Sequence, residues 1–165
     1  MRLFFLFLLT MTISVQAQDG FTKNSSLELK KKKELNWVSS YKKAVRLSRK
    51  KDKALLIFFT GSDWCGFCKS LEKHFLSSED FIEIAEKDLI LYKADFPHRT
   101  DIITKEERKV NDGIKKKFSV SGYPTILIVS PNGKVLGKRS GFGFDHDTQY
   151  HFKLVRKAIE KHNNQ

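Results

Sequence analysis

The chain contains two cysteines, Cys65 and Cys68, which are separated by Gly66 and Phe67 in the stretch GSDWCGFCKSLEKH. Two thiols at this spacing can bind a metal ion, form a permanent crosslink, or exchange electrons through a disulfide that opens and closes. Each alternative needs different neighbouring residues, so the rest of the sequence indicates which of them applies.

Metal binding needs more ligands than the cysteine pair supplies. A structural zinc site takes four protein ligands, and a catalytic zinc site takes three and a water. The chain has no second Cys-x-x-Cys, and its five histidines show no His-x-x-x-His pairing. We therefore expect no metal site. A permanent crosslink is also disfavoured, because a bridge across two residues closes too short a loop to stabilise the fold much through chain entropy.

The cysteine pair lies where a predicted strand passes into a predicted helix. ALLIFF, residues 54–59, is a continuous apolar run, typical of a buried central strand, and KSLEKHFL, residues 69–76, has good helix formers and no breaker. A helix N-terminus presents unpaired N–H groups and the positive end of the helix dipole, and both favour a thiolate. This predicts Cys65 as the attacking sulfur and Cys68, one turn later, as the more buried resolving sulfur.

The remaining segments predict the order α-β-α(α)-β-α-β-β-α. Helical patterns cover residues 34–50, 81–87, 104–118 and 151–162, with N-terminal caps at Ser77 and Thr104, and strand patterns cover residues 88–96, 125–130 and 134–139. Asn132-Gly133 between the last two strands is a strong hairpin signal. Since no repeat or low-complexity segment interrupts the pattern, we predict one domain over residues 34–162.

The N-terminus, MRLFFLFLLTMTISVQAQDG, has one positive residue, an apolar run and a small-residue ending. This is the pattern of a secretory signal peptide over residues 1–17, with cleavage after Ala17. A membrane span needs about 20 apolar residues, so we expect no stable span after signal removal. Residues 18–33 are polar and then basic, which predicts a flexible lead-in. The protein is predicted to be periplasmic or secreted, where disulfides persist.

The formal net charge is +12 at pH 7. Such a charge alone is compatible with nucleic acid, an anionic membrane surface or acidic proteins as partners. The lysines are scattered along the whole chain, however, and the dense run at residues 30–33 lies in the polar lead-in. We therefore expect no nucleic-acid partner.

The order of these motifs resembles the thioredoxin superfamily. W-C-x-x-C-K, here Trp64 to Lys69, opens a helix after an apolar strand, and G-x-P-T, here Gly122 to Thr125, precedes a hairpin and a last helix. The resemblance covers about residues 34–162. It implies an α/β fold: a three-layer α/β/α sandwich with a central mixed sheet of about four strands.

The same resemblance implies roles for particular residues. Cys65 and Cys68 would form the redox-active pair, with Trp64 and Lys69 in supporting positions. A cis peptide bond at Tyr123-Pro124 would face the cysteines, so that the Tyr123 backbone could pair with an extended substrate. No cofactor is expected.

Within the superfamily, residues 62–81 are similar to small exported thioredoxin-like proteins and to the periplasmic C-terminal domain of the transmembrane thiol:disulfide reductase. In that domain a glutamate seven residues after the first cysteine influences the titration of the active site, and Glu72 occupies this position. The alternative is a solvated Glu72 paired with a lysine. The chain also departs from the family: Phe58 and Phe59 cover the region that usually holds a buried, proton-accepting aspartate.

These observations predict an exported thiol–disulfide oxidoreductase that reduces or exchanges disulfides of envelope proteins. Gly66-Phe67 places no cation between the cysteines, so we expect a couple nearer about −270 mV than about −120 mV. An unidentified redox partner would recycle the dithiol. The aromatic segment at residues 141–144 follows the hairpin and either borders the substrate groove or, as is more common for aromatics beside a small sheet, packs in the core. Alternatives are a disulfide oxidase or isomerase, or a non-enzymatic thioredoxin-fold binding protein.

Overall fold

The computed structural model describes residues 34–164 of the chain. The predicted signal peptide (1–17) and lead-in (18–33) lie outside these residues. The described elements are α1 (Tyr41–Lys51), β1 (Ala54–Thr60), α2 (Gly66–Leu71), a π-helical turn (Glu72–Leu76), α3 (Glu79–Asp88), β2 (Leu89–Asp95), α4 (Lys105–Lys117), β3 (Thr125–Val129), β4 (Val135–Ser140) and α5 (Gln149–Asn163). The predicted order of helices and strands is confirmed. None of the helices within residues 34–164 is long and apolar enough to cross a membrane.

The four strands form one mixed sheet in the order β2-β1-β3-β4. β1 pairs parallel to β2 and antiparallel to β3, and β3 pairs antiparallel to β4. Side chains of β1 alternate between two cores: Leu56 and Phe58 pack toward α2, α3 and α5, whereas Ile57 and Phe59 pack toward α1 and α4. The predicted three-layer α/β/α sandwich is therefore confirmed, with β1 fully buried at its centre.

The first helix begins later than predicted. Ser40 is the N-cap of α1, and its hydroxyl accepts a hydrogen bond from the Lys43 N–H at 3.3 Å. The preceding residues are extended: Trp37 forms a parallel bridge with Leu91, and the Val38 N–H donates to the Leu91 carbonyl at 2.9 Å. Trp37 and Val38 fit the helical spacing because they pack on the core, but their backbone groups pair with β2 instead.

The cap of α3 was also predicted one residue too early. Ser78, not Ser77, caps the helix by accepting a hydrogen bond from the Phe81 N–H at 3.3 Å. The Ser77 N–H instead donates to the Glu72 carbonyl at 2.8 Å and closes the π-helical turn. The predicted helix at residues 69–76 is therefore a short α-helix that continues into one π turn.

Two local predictions are confirmed in detail. Thr104 and Glu107 form a capping box at the start of α4, with hydrogen bonds in both directions. The turn between β3 and β4 uses Gly133 at φ 86°, a left-handed conformation that favours glycine, and its N–H donates to the Ser130 carbonyl at 2.8 Å. The hairpin positions β3 so that its first residue, Thr125, lies beside the end of β1.

Candidate active site

Cys65 and Cys68 lie at the start of α2 and form a disulfide, with their Cα atoms 5.2 Å apart. Cys65 is the N-cap residue, and the backbone N–H of Cys68 donates to its sulfur at 3.2 Å. Cys65 is 5% exposed and Cys68 is fully buried. When the pair is reduced, the N–H groups at the helix start favour negative charge on the outer sulfur. The arrangement therefore makes Cys65 the outer sulfur, at the helix N-terminus, and Cys68 the inner, buried one.

A buried carboxylate at the end of β2 fixes the loop before the cysteines. Asp95 accepts hydrogen bonds from the Ser62 N–H at 2.9 Å, from the Ser62 hydroxyl and from the Phe96 N–H. Its backbone carbonyl accepts from the Asn111 side-chain amide at 3.0 Å, and Asn111 in turn accepts from the Tyr92 hydroxyl. The sequence analysis did not identify Asp95 as a supporting residue. The available signal was an acidic residue at the end of an apolar strand.

Asp63 also ties this loop to the segment after β2. Its carboxylate accepts hydrogen bonds from the backbone N–H groups of His98 at 3.0 Å and Arg99 at 2.9 Å. Desolvation raises the pKa of Asp63, but these hydrogen bonds outweigh it, and the pKa lies below its ordinary value. The carboxylate therefore acts as an anchor and stays ionised near neutral pH.

Trp64 is locked beside Cys65 by contacts on several sides. Its indole N–H donates to the Phe96 carbonyl at 2.9 Å, and its ring stacks on His98 at 4.9 Å between centroids. The Tyr123 ring meets it edge-on at 5.7 Å. A Cβ on Gly61 would lie 2.3 Å from the indole, so glycine is needed there for the close approach of Trp64.

Lys69 and Glu72 make different kinds of contact. The Lys69 ammonium donates to the backbone carbonyl of Asp63 at 3.0 Å, on the loop before the cysteines. The Glu72 carboxylate pairs with Lys93 of β2, and both side chains are about one-third exposed. Lys93 lies opposite Phe58 in the β1–β2 register. Glu72 is thus paired with a lysine from the sheet and not with one on its own helix.

No carboxylate occupies the β1 positions behind the cysteines. Phe58 and Phe59 are fully buried, and Phe58 packs in the same core as Cys65 and Cys68. Thr60, at the end of the same strand, is fully buried, and its hydroxyl has no hydrogen-bond partner within residues 34–164. Strand alternation puts Thr60 on the same face as Phe58.

The Tyr123–Pro124 peptide bond is cis. The Pro124 carbonyl accepts a hydrogen bond from the Gly141 N–H at 2.8 Å, which joins the proline loop to the segment after β4. Because the Tyr123 ring contacts Trp64, the proline loop lies next to the residue that precedes Cys65. The structure therefore brings Trp64, the cysteine pair and the proline loop together.

His151 of α5 is a buried titratable group to which the sequence analysis gave no role beyond its place in the last predicted helix. Its ring lies 5.3 Å from Phe75 and 5.5 Å from Phe142 between centroids, and neither ring nitrogen has a hydrogen-bond partner among the described residues. Burial, with a smaller contribution from the Arg139 charge, lowers the pKa of His151 to about 4. The ring is therefore neutral at pH 7. Within residues 34–164, no three His, Cys, Asp or Glu side chains converge as metal ligands.

Comparisons with known proteins agree with this architecture. Residues 36–131 match a family model described as Thioredoxin-like. The chain is 34% identical over 108 residues to disulfide bond reductase DsbH of Chlamydia pneumoniae, covering 66% of this chain and 63% of that protein. It is 27% identical over 108 residues to thioredoxin-related protein DsbJ of the same organism, covering 65% of this chain and 30% of that protein.

A solved structure of DsbH oxidoreductase is 31% identical, with a TM-score of 0.68 over 76% of this chain and 85% of that one. The chain thus spans less than two thirds of the length of the two curated relatives, 63% and 30% respectively. The predicted resemblance is confirmed, and the chain belongs to the thioredoxin-like family.

Proposed function

We propose that the protein is an exported thiol–disulfide oxidoreductase that reduces or exchanges disulfides of other exported proteins. The observation that carries this proposal is the placement of Cys65 at a helix N-cap, bonded to a buried Cys68. The relative named disulfide bond reductase supports the same chemistry. Export rests on the signal-peptide pattern of residues 1–17.

The reaction uses the reduced cysteine pair. The Cys65 thiolate attacks one sulfur of a substrate disulfide, a mixed disulfide forms, and the other substrate sulfur leaves as a thiolate that takes up a proton. Cys68 then loses its proton and attacks the Cys65 sulfur, which releases the second substrate thiolate. Two electrons pass to the substrate, and the protein keeps the Cys65–Cys68 disulfide. A separate dithiol partner must reduce that disulfide before the next turnover.

The proline loop would hold the substrate during the attack. We assign the backbone of Tyr123, which precedes Pro124, to pairing with an extended substrate segment. Its ring touches the Trp64 ring, so a segment lying along it passes close to the outer cysteine. Lys69 supports this role indirectly, because its bond to the Asp63 carbonyl steadies the loop before Cys65.

Glu72 is the group proposed to receive the proton of Cys68, through water. The Glu72 N–H donates to the Cys68 carbonyl, which places the glutamate one helical turn beyond the inner cysteine. Its pairing with Lys93 keeps the carboxylate at the sheet side of the helix. Phe58, which packs in the same core as the cysteines, can accept no proton, and Phe59 faces the opposite core.

Disulfide reduction with purified variants tests the proposal. The probe is insulin with dithiothreitol as electron source, followed by the precipitation of reduced insulin chains. Wild type should accelerate the reaction, Cys65→Ser should abolish the acceleration, and Cys68→Ser should accumulate a covalent complex through Cys65. Glu72→Gln should shift the pH profile of the resolving step, and Glu79→Gln on the next helix serves as the matched charge control. A wild-type protein that binds insulin without accelerating its reduction would support the non-enzymatic alternative.

A further inference from the structure

We propose that Phe67 and Phe144 form an apolar docking surface, the aromatic ledge, for an aromatic or large aliphatic side chain next to the substrate disulfide. The occupant is a segment of the disulfide-bearing polypeptide itself. This inference rests on the proposed activity, because it requires that Cys65 attacks substrate disulfides. It adds the class of residue that the site prefers beside the attacked cysteine.

The ledge adjoins the cysteine pair, because Phe67 lies between the two cysteines in the sequence and its ring contacts Phe144. Phe67 stands between the two cysteines and is 41% exposed, and Phe144 is 87% exposed, the highest value among the large apolar side chains of residues 34–164. Their rings meet edge to face, with centroids 4.9 Å apart and planes at 70°. Single exposed apolar residues are common, but this pair presents continuous aromatic surface within two residues of Cys65.

The segment that carries Phe144 is held in place from both ends. At its start, the Gly141 N–H donates to the Pro124 carbonyl at 2.8 Å, and the buried Phe142 ring packs on His151 at 5.5 Å. Toward its end, His146 stacks on His74 of the π-helical turn at 4.3 Å between centroids. Phe144 therefore projects from a segment that is fixed to the proline loop and to the π-helical turn. A substrate side chain that binds there loses little additional conformational entropy of the protein.

The reaction itself determines what covers the ledge. In the mixed disulfide the substrate is bonded to Cys65, so the residues next to the substrate cysteine must lie across the surroundings of that sulfur. The ring of Trp64, the residue that precedes Cys65, is already contacted by His98 and Tyr123. The Phe144 ring, by contrast, is 87% exposed and open to contact. An added aromatic ring would stack or meet it edge to face, in the arrangement that aromatic pairs prefer.

The test compares two disulfide peptides that differ at one position. Each carries the same disulfide, flanked by Phe in one peptide and by Ser in the other. Pre-reduced protein is mixed with each, and tryptophan fluorescence follows the single-turnover rate. Wild type should react faster with the Phe peptide, and Phe144→Ala should lower the Phe-to-Ser rate ratio about tenfold, as expected for one lost aromatic contact. Phe144→Tyr should restore the ratio.

Tyr150→Ala is the matched control, since it removes another exposed aromatic side chain outside the ledge. It should leave both peptide rates unchanged. A Phe-to-Ser ratio that is the same in wild type and Phe144→Ala overturns the ledge while leaving disulfide exchange intact. If wild type reduces neither peptide, the proposed activity fails and the ledge fails with it.

Discussion

The buried imidazole of His151 should make the folded protein lose stability in mild acid. The ring is buried, and its pKa falls from 6.5 to about 4 through burial and then the Arg139 charge, while the neighbouring Gly141 backbone, which forms no hydrogen bond with the ring, and Asp147 oppose the change. The unfolded chain therefore binds a proton between these pH values and the folded chain does not. The contribution of His151 is fully present above pH 6.5 and is lost as the pH falls toward about 4.

The size of this effect follows from the two pKa values. At about 1.4 kcal/mol for each pH unit, the interval from 6.5 to about 4 corresponds to at most about 3.5 kcal/mol of unfolding free energy. His151→Leu removes the titrating group and its two unpaired nitrogens. The variant should lack this part of the pH dependence and be at least as stable as wild type at pH 4.

Urea unfolding of the oxidised protein between pH 4 and pH 8, followed by tryptophan fluorescence, measures this free energy. The control His162→Leu removes a histidine at the far end of the same helix and should keep the wild-type decline that His151 causes. Equal pH dependence in wild type and His151→Leu would refute the assignment.

Three further predictions concern the residues around the cysteine loop. Thr60→Val should stabilise the oxidised protein by about 1 kcal/mol in urea unfolding, because it removes a buried unpaired hydroxyl; Thr60→Ser, which keeps the hydroxyl, should not. Gly61→Ala should destabilise by about 1–3 kcal/mol and alter tryptophan fluorescence, since its Cβ would clash with Trp64. Asp95→Asn should lower the melting temperature by several degrees, because an amide cannot accept all the hydrogen bonds of Ser62 and Phe96. An unchanged melting temperature would contradict that role.

The sequence predicts those parts of the fold that local chemistry determines. The run at residues 54–59 becomes the buried central strand, the Thr104 capping box forms, and Asn132-Gly133 closes a hairpin. The mixed sheet follows from the family resemblance carried by the cysteine motif and the Pro124 motif. The apolar run, the capping box and the hairpin turn are short-range features, so each depends on only a few neighbouring residues.

The errors concern backbone hydrogen bonds that residue spacing does not report. Trp37 has helical spacing to Tyr41, but its backbone pairs with Leu91 of a strand far along the chain. Ser77 and Ser78 are both typical N-cap residues. The backbone N–H of Ser77 closes the π-helical turn, so Ser78 is the residue that caps α3. Spacing patterns report which side chains are buried, not which backbone groups pair.

The sequence names the residues that carry the proposed chemistry, whereas some residues that hold the site together are apparent only in the structure. Cys65 and Cys68 are identified by motif, whereas Asp95 anchors the loop from another strand and gives no local signal beyond its charge. His151 likewise becomes unusual only because Phe75 and Phe142 enclose it. Contacts of this kind depend on the tertiary packing.

The most direct test of the central claim is the equilibrium reduction potential of the Cys65–Cys68 couple against glutathione. The couple has a buried inner cysteine and no cation between its sulfurs. We predict a value nearer about −270 mV than about −120 mV, as a disulfide reductase requires. A value above about −150 mV would contradict the reductase proposal and favour an oxidase or isomerase.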